Sequence, residues 1–199
     1  MLIVVDGIDG SGKSTLCAAL RQSVGEHACR VVRPLHADHR FAAAVRDLFA
    51  LEPDFARLAS TETQRAVAGH YIHQFAERVA RDIKPYLSEG QVVVSDRYWY
   101  SLLANQHAFG VDCSGWIAAL DELPRPDLAI RLTVDVDTAI RRVRDRGDDP
   151  WYDASFLRRV DNYLTANSPD FGLVPVDGTQ PVTELVQLVS ERIATRVRL

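Results

Sequence analysis

The chain has 199 residues, 47% of them hydrophobic and 25% charged, with a formal net charge of −4. That is the make-up of an ordinary globular protein long enough to bury one sizeable core, and its acidic balance excludes a general nucleic-acid binder, whose contact face is basic. No apolar run approaches bilayer-spanning length and the first residues run straight into a strand pattern, so neither a membrane segment nor a secretory leader is expected.

Leu2 to Val5 reads as a buried strand, and a helix beginning near Lys13 continues through Leu16 to Leu20. Between them, Asp6-Gly7-Ile8-Asp9-Gly10-Ser11-Gly12-Lys13-Ser14-Thr15 fits the phosphate-binding P-loop. A triphosphate needs several backbone N–H donors converging on it, and only a glycine-rich turn brings the main chain that close. The helix start behind the turn adds unpaired amides and the positive end of its dipole. Gly7, Ile8, Asp9, Gly10, Ser11, Gly12, Lys13, Ser14 and Thr15 are therefore the candidate ATP-binding residues. Lys13 is expected on the β- and γ-phosphates and Ser14 on Mg²⁺.

Cys29 to Arg33 reads as a second strand ended by Pro34, and Leu35 to His39 as a loop. Phe41, Ala44, Val45, Leu48 and Phe49 recur at helical spacing over Arg40 to Leu51. Ser60 to Leu87 carries a longer helical pattern, two helices or one bent near Gly69, closed by Gly90. The β-branched run Gln91 to Ser95 suits a central parallel strand, with Asp96-Arg97-Tyr98 at the end where open α/β sheets bind ligands. A helix from Trp99 to His107, a turn-rich stretch from Gly110 to Gly115 and a strand from Asp127 to Val134 follow. Asp137 is read as the cap of a helix over Thr138 to Arg146. Phe156, Val160, Tyr163 and Leu164 stripe another helix, then come a strand over Gly172 to Val176 and a helix over Val182 to Val197. Alternating strands and helices predict an α/β fold, a P-loop NTPase three-layer sandwich with a five-stranded parallel sheet and helices on both faces. A single domain over residues 1–199 is expected, with a short arginine-rich lid at about 141–153.

Only Lys13 and Lys84 among the 23 basic residues are lysines, so anion binding falls mainly to arginine, whose planar fork suits bidentate phosphate contacts. Cys17, Cys29 and Cys113 form an odd set without CxxC spacing. They predict free thiols, no zinc site and a cytoplasmic protein.

The P-loop alone leaves kinases, GTPases and ATPases open. A strand-terminal Asp96-Arg97-Tyr98, the Leu-Pro-x-Pro-Asp-Leu stretch at Leu123 to Leu128, and Arg-x-Arg-Gly at Arg144 to Gly147 together resemble the thymidylate kinase family. The resemblance runs from Met1 to about Tyr163. Within the family, Tyr71-Ile72 and Trp99 are similar to the branch that includes mitochondrial UMP-CMP kinase-like proteins. The resemblance implies transfer of the ATP γ-phosphoryl to a pyrimidine nucleoside monophosphate, most readily dTMP, with Mg²⁺ as cofactor and a homodimer as the assembly.

By residue, the resemblance implies that Lys13 holds the donor phosphates, that Ser14 and Asp96 serve the metal, and that Arg97 clamps the acceptor phosphate. The helix Arg141 to Arg146 matches the family's lid. Arg142 and Arg146, at i and i+4, share a face that closes over ATP while Arg144 points away. Other members carry a catalytic arginine in the P-loop, and Ile8-Asp9-Gly10-Ser11 has none. Acceptor contacts are implied for Asp9, Tyr71, Phe75, Arg97, Tyr98, Asn105 and Gln106. Three departures bear on specificity. Phe75 stands where many members read the base with an arginine, Asn105 stands where a tyrosine usually disfavours a 2′-hydroxyl, and Asp148-Asp149-Pro150-Trp151 is shortened. They leave open kinases for other pyrimidine monophosphates, a deoxynucleoside kinase, and an ATP-binding sensor.

Overall fold

The computed structural model describes residues 1–35, 61–147 and 152–197. The predicted helix over Arg40 to Leu51, most of the loop before it, and Asp148 to Trp151 lie outside the described residues. Five strands, β1 (Leu2–Asp6), β2 (Cys29–Val32), β3 (Val92–Asp96), β4 (Leu128–Thr133) and β5 (Leu173–Asp177), form one all-parallel sheet in the order β2-β3-β1-β4-β5. The helices are α1 (Lys13–Val24), α2 (Thr61–Asp82), α3 (Lys84–Ser88), α4 (Trp99–Ala108), α5 (Ile117–Asp121), α6 (Val136–Asp145), α7 (Ala154–Phe171) and α8 (Val182–Val197).

The central strands are apolar without alternation because both of their faces are covered. On β1, Ile3 and Val5 pack with Leu16, Cys17 and Leu20 of α1 and with Leu185 and Val189 of α8. Leu2 and Val4 point the other way, into the layer that holds Ile72 and Phe75 of α2, Leu103 of α4 and Val160 and Leu164 of α7. Three layers result, as the sequence predicts. All three cysteines are free and buried.

Two local readings are corrected. The break in the long helical pattern falls at Ile83, not Gly69. Helix α2 passes through Gly69 unbroken, while Pro85 sits in the first turn of α3 and cannot donate the amide that would continue α2. The cap of α6 is Asp135, not Asp137: the Asp135 side chain accepts from Thr138 N at 2.8 Å, and Asp137 lies inside the first turn.

Register places the chemistry. Val5 pairs with Asp96, so β1 runs one residue beyond β3 and the loops beginning at Gly7 and Arg97 leave the same edge of the sheet on neighbouring strands. From β1 the chain crosses to β2 on one side, and from β3 it crosses to β4 on the other. Such a switch point opens a crevice at the carboxyl ends of the strands.

Candidate active site

The loop after β1 has the backbone that its glycines permit. Gly10 sits at φ 80°, and a Cβ there would lie 2.1 Å from the carbonyl oxygen of Ala139 in α6. Gly7, at φ 136°, would put a Cβ 2.6 Å from Leu132 O of β4. Both contacts forbid any side chain and press the loop onto its neighbours. Helix α1 starts from Gly12 with no side-chain cap, so its first-turn amides face the loop as donors.

Lys13 is buried and folds across the loop, its Nζ donating to Ile8 O at 2.6 Å and to Ser11 Oγ at 3.5 Å. Burial, and then the neighbouring Arg97 charge, lower its pKa to about 8 against the pull of Asp9, Asp96 and Asp6. At the next position Ser14 Oγ donates to Asp96 Oδ2 at 2.7 Å. Arg33, which the sequence reading passes over, places Nε 3.4 Å from the same oxygen.

Arg97 anchors the other half of the crevice. Alone among the described non-glycine residues it has positive φ, at 73°. Two hydrogen bonds hold that backbone: Arg97 N donates to Val5 O at 2.9 Å and Ser95 Oγ donates to Arg97 O at 2.6 Å. A conformation of this kind costs about 1–2 kcal/mol in a side-chain-bearing residue. Here it returns the side chain toward the P-loop. Nη1 donates to Gly7 O and Ser101 Oγ, each at 2.9 Å, and Nη2 donates to Asp9 Oδ1. Burial alone would push the half-buried Asp9 carboxyl up, but Arg97, Lys13 and Arg146 outweigh it and hold the carboxyl below the ordinary aspartate value. Asp9 is thus a carboxylate on which three predicted site cations converge.

Helix α6 is rooted on the loop through Ala139 against Gly10. Arg142 turns inward and donates to Gly178 O at 3.0 Å. Gly178 itself lies so close to Ser11 that a Cβ would stand 2.8 Å from the Ser11 carbonyl oxygen. Arg146 is within electrostatic reach of Asp9. Arg144 instead lines an open outer surface with Asp137, Ile140, Arg141 and Asp145.

The acceptor-side residues divide. Tyr71 is half-buried against the core, beside the crevice. Tyr152, absent from the sequence reading, stacks on Phe156 with ring centroids 4.1 Å apart. Burial first, and then Asp9 and Tyr71, push the Tyr152 hydroxyl up to about 12, which places it among those groups. An aromatic residue just past the lid arginines was its only signal. Asn105 is partly exposed on α4, and Gln106 beside it is buried. Phe75 and Tyr98 lie deeper than the other acceptor candidates. Both are wholly buried and meet edge to face at 5.4 Å, and the Tyr98 hydroxyl is taken up by Pro124 O at 2.9 Å.

The pair Ser14 and Asp96 offers two hard oxygen donors beside the donor loop, which fits Mg²⁺, an ion that takes one or two protein oxygens and completes its shell with phosphate and water. Among the described residues no helix is long and apolar enough to cross a membrane.

A sequence profile of the thymidylate kinase family matches residues 5–189. A probable thymidylate kinase of Archaeoglobus fulgidus is 31% identical over 203 aligned residues, covering 100% of this chain and 97% of that protein. One of Pyrococcus horikoshii is 37% identical over 166 residues, 81% of this chain and 80% of that one. The thymidylate kinase of Xanthomonas campestris is 31% identical over 159 residues, 75% of this chain and 63% of that protein. The matched span takes in the P-loop, the Asp-Arg-Tyr and the arginine helix, and the chain belongs to the thymidylate kinase family, ATP-dependent nucleoside monophosphate kinases.

Proposed function

We propose that this chain transfers the γ-phosphoryl group of ATP to dTMP, giving dTDP and ADP. An oxygen of the dTMP phosphate forms the new bond to the γ-phosphorus, and the bond from that phosphorus to the β–γ bridging oxygen breaks. The observation that carries the reading is the Arg97 guanidinium, fixed between Gly7 O and Asp9 of the P-loop. A cation on the acceptor side is thereby built into the donor loop, as joining two anions requires. The names of the relatives support dTMP as the acceptor.

In this reading the P-loop amides and Lys13 hold the β- and γ-phosphates, and Arg97 holds the acceptor phosphate. Arg142 and Arg146 close from α6 as the lid cations, supplying the charge that Ile8 to Ser11 lack. Ser14 and Asp96 hold Mg²⁺, which supplies charge neutralisation when bound. Asp9, Tyr71, Tyr152, Asn105 and Gln106 surround the nucleoside. One domain over residues 1–199 carries the whole site. The reading also carries a cytoplasmic homodimer on the apolar helix faces between Phe41 and Leu87, of which residues 41–60 lie outside the described residues.

The test is ADP release with Mg·ATP against dTMP, dUMP, dCMP, UMP, CMP and thymidine. The expected result is strongest turnover with dTMP, and about a hundredfold rise in acceptor KM for Arg97→Ala that Arg97→Lys does not repair, because an ammonium lacks the fork. Turnover with thymidine, or an Arg97→Ala enzyme with unchanged acceptor KM, would overturn it.

A further inference from the structure

Asp6 ends β1 with its side chain wholly buried, and the reaction above makes no use of it. A buried carboxylate is costly unless its oxygens are hydrogen-bonded. Those of Asp6 are: Gly7 N donates to Oδ1 at 2.7 Å, Ser101 Oγ donates to the same oxygen, and Tyr98 N donates to Oδ2 at 3.3 Å. One carboxylate therefore ties together the first residue of the P-loop, the residue after Arg97 and a hydroxyl in the first turn of α4.

Ser101 is also wholly buried, and its oxygen accepts from Arg97 Nη1 at 2.9 Å. A hydroxyl has one proton to give. With that proton spent on Asp6, the direction of the chain is fixed from Nη1 to Oγ to Oδ1. The second Nη1 proton goes to Gly7 O at 2.9 Å, so Nη1 is fully committed to the protein. Nη2 gives one proton to Asp9. Among the described residues the remaining donors of the fork are Nε–H and one Nη2–H, on a side chain that keeps 18% of its surface exposed.

We propose that Asp6 and Ser101 are positioning residues for the acceptor. They set the roll of the Arg97 guanidinium about its own axis, so that its Nε–Nη2 edge, and not Nη1, is presented to the 5′-phosphate of the nucleoside monophosphate. Bidentate recognition depends on that orientation. The inference rests on the phosphoryl-transfer reading above and adds to it which residues aim the clamp.

The experiment is calorimetric binding of dTMP, and separately of Mg·ADP, to the full chain and to its Ser101→Ala, Ser101→Thr and Asp6→Asn variants. Asparagine keeps the size of Asp6 and an acceptor oxygen but loses the charge. Ser101→Ala and Asp6→Asn are each expected to weaken dTMP binding about tenfold, the worth of one hydrogen bond to a charged group. Mg·ADP affinity should stay within about twofold, since the amides and Lys13 that face its phosphates are untouched. Ser101→Thr, which retains the hydroxyl, should recover dTMP binding relative to Ser101→Ala. Unchanged dTMP binding in Ser101→Ala, or loss of both ligands together, would overturn the proposal, the second because it marks a role confined to holding the fold. Wild-type protein that binds Mg·ADP but none of the pyrimidine monophosphates would instead overturn the kinase reading, and this inference with it.

Discussion

Lys13 couples the local electrostatics of the site to the pH at which it works. Its ammonium is desolvated and faces the Arg97 charge, which brings its pKa down to about 8. Only the charged form neutralises phosphate. For a base with a lowered pKa, the charged fraction is complete well below that value and falls as pH rises through it. The second-order constant kcat/KM for Mg·ATP reports the free enzyme. It is expected to be level near pH 7 and to fall with a midpoint at about pH 8, approaching tenfold per unit above it. A profile level to about pH 10, the range of an unperturbed lysine, would contradict this environment for Lys13. Lys13, Ser14, Asp96 and Arg97 were legible as candidates that meet in one crevice, because each stands in a motif whose chemistry dictates the residue type. Asp6, Arg33, Ser101 and Tyr152 were not. Their neighbours are set by register and by loop return, which spacing along the chain does not encode. Phe75 and Tyr98 share an aligned position or a motif with candidate site residues, and their burial in the core was not legible from that.

At the scale of elements, α6 shows how a small misreading changes an expected measurement. Asp135 and Asp137 both lie near the start of an arginine-rich helix, and either could cap it by composition. The structure gives the cap to Asp135, extended at φ −64° and ψ 147°, with its side chain on Thr138 N. Asp135→Ala is therefore expected to lower the denaturant midpoint of unfolding, because Thr138 N loses its side-chain acceptor. Asp137 makes only an exposed ion pair with Arg158 at 3.2 Å, and Asp137→Ala is expected to cost less than about 0.5 kcal/mol. The reverse order would refute the cap. The same helix carries Arg142 toward Gly178 and leaves Arg144 on the outer surface, while Arg146, at its C-terminal cap, is exposed and acts on Asp9 through charge. The break between α2 and α3 was misplaced because glycine marks flexibility in a sequence, whereas proline physically removes the donor. Gly69 accommodates Trp116, whose ring atom Cζ2 would lie 3.5 Å from a Cβ there.

At the scale of the whole molecule, the sheet order β2-β3-β1-β4-β5 brings the P-loop and Arg97 to one crevice from positions ninety residues apart. Layering and strand polarity were legible, since apolar runs alternating with amphipathic helices admit few other arrangements. The order of strands was not, and it is the order that makes Val5 pair with Asp96. The central claim is that this crevice joins two phosphates directly. The most direct test follows the label from γ-labelled ATP in the presence of Mg²⁺ and dTMP, by separating the products. The expected result is label in dTDP in one-to-one proportion with ADP, and no appreciable ADP without an acceptor. Label released as inorganic phosphate at the same rate with and without dTMP would contradict it.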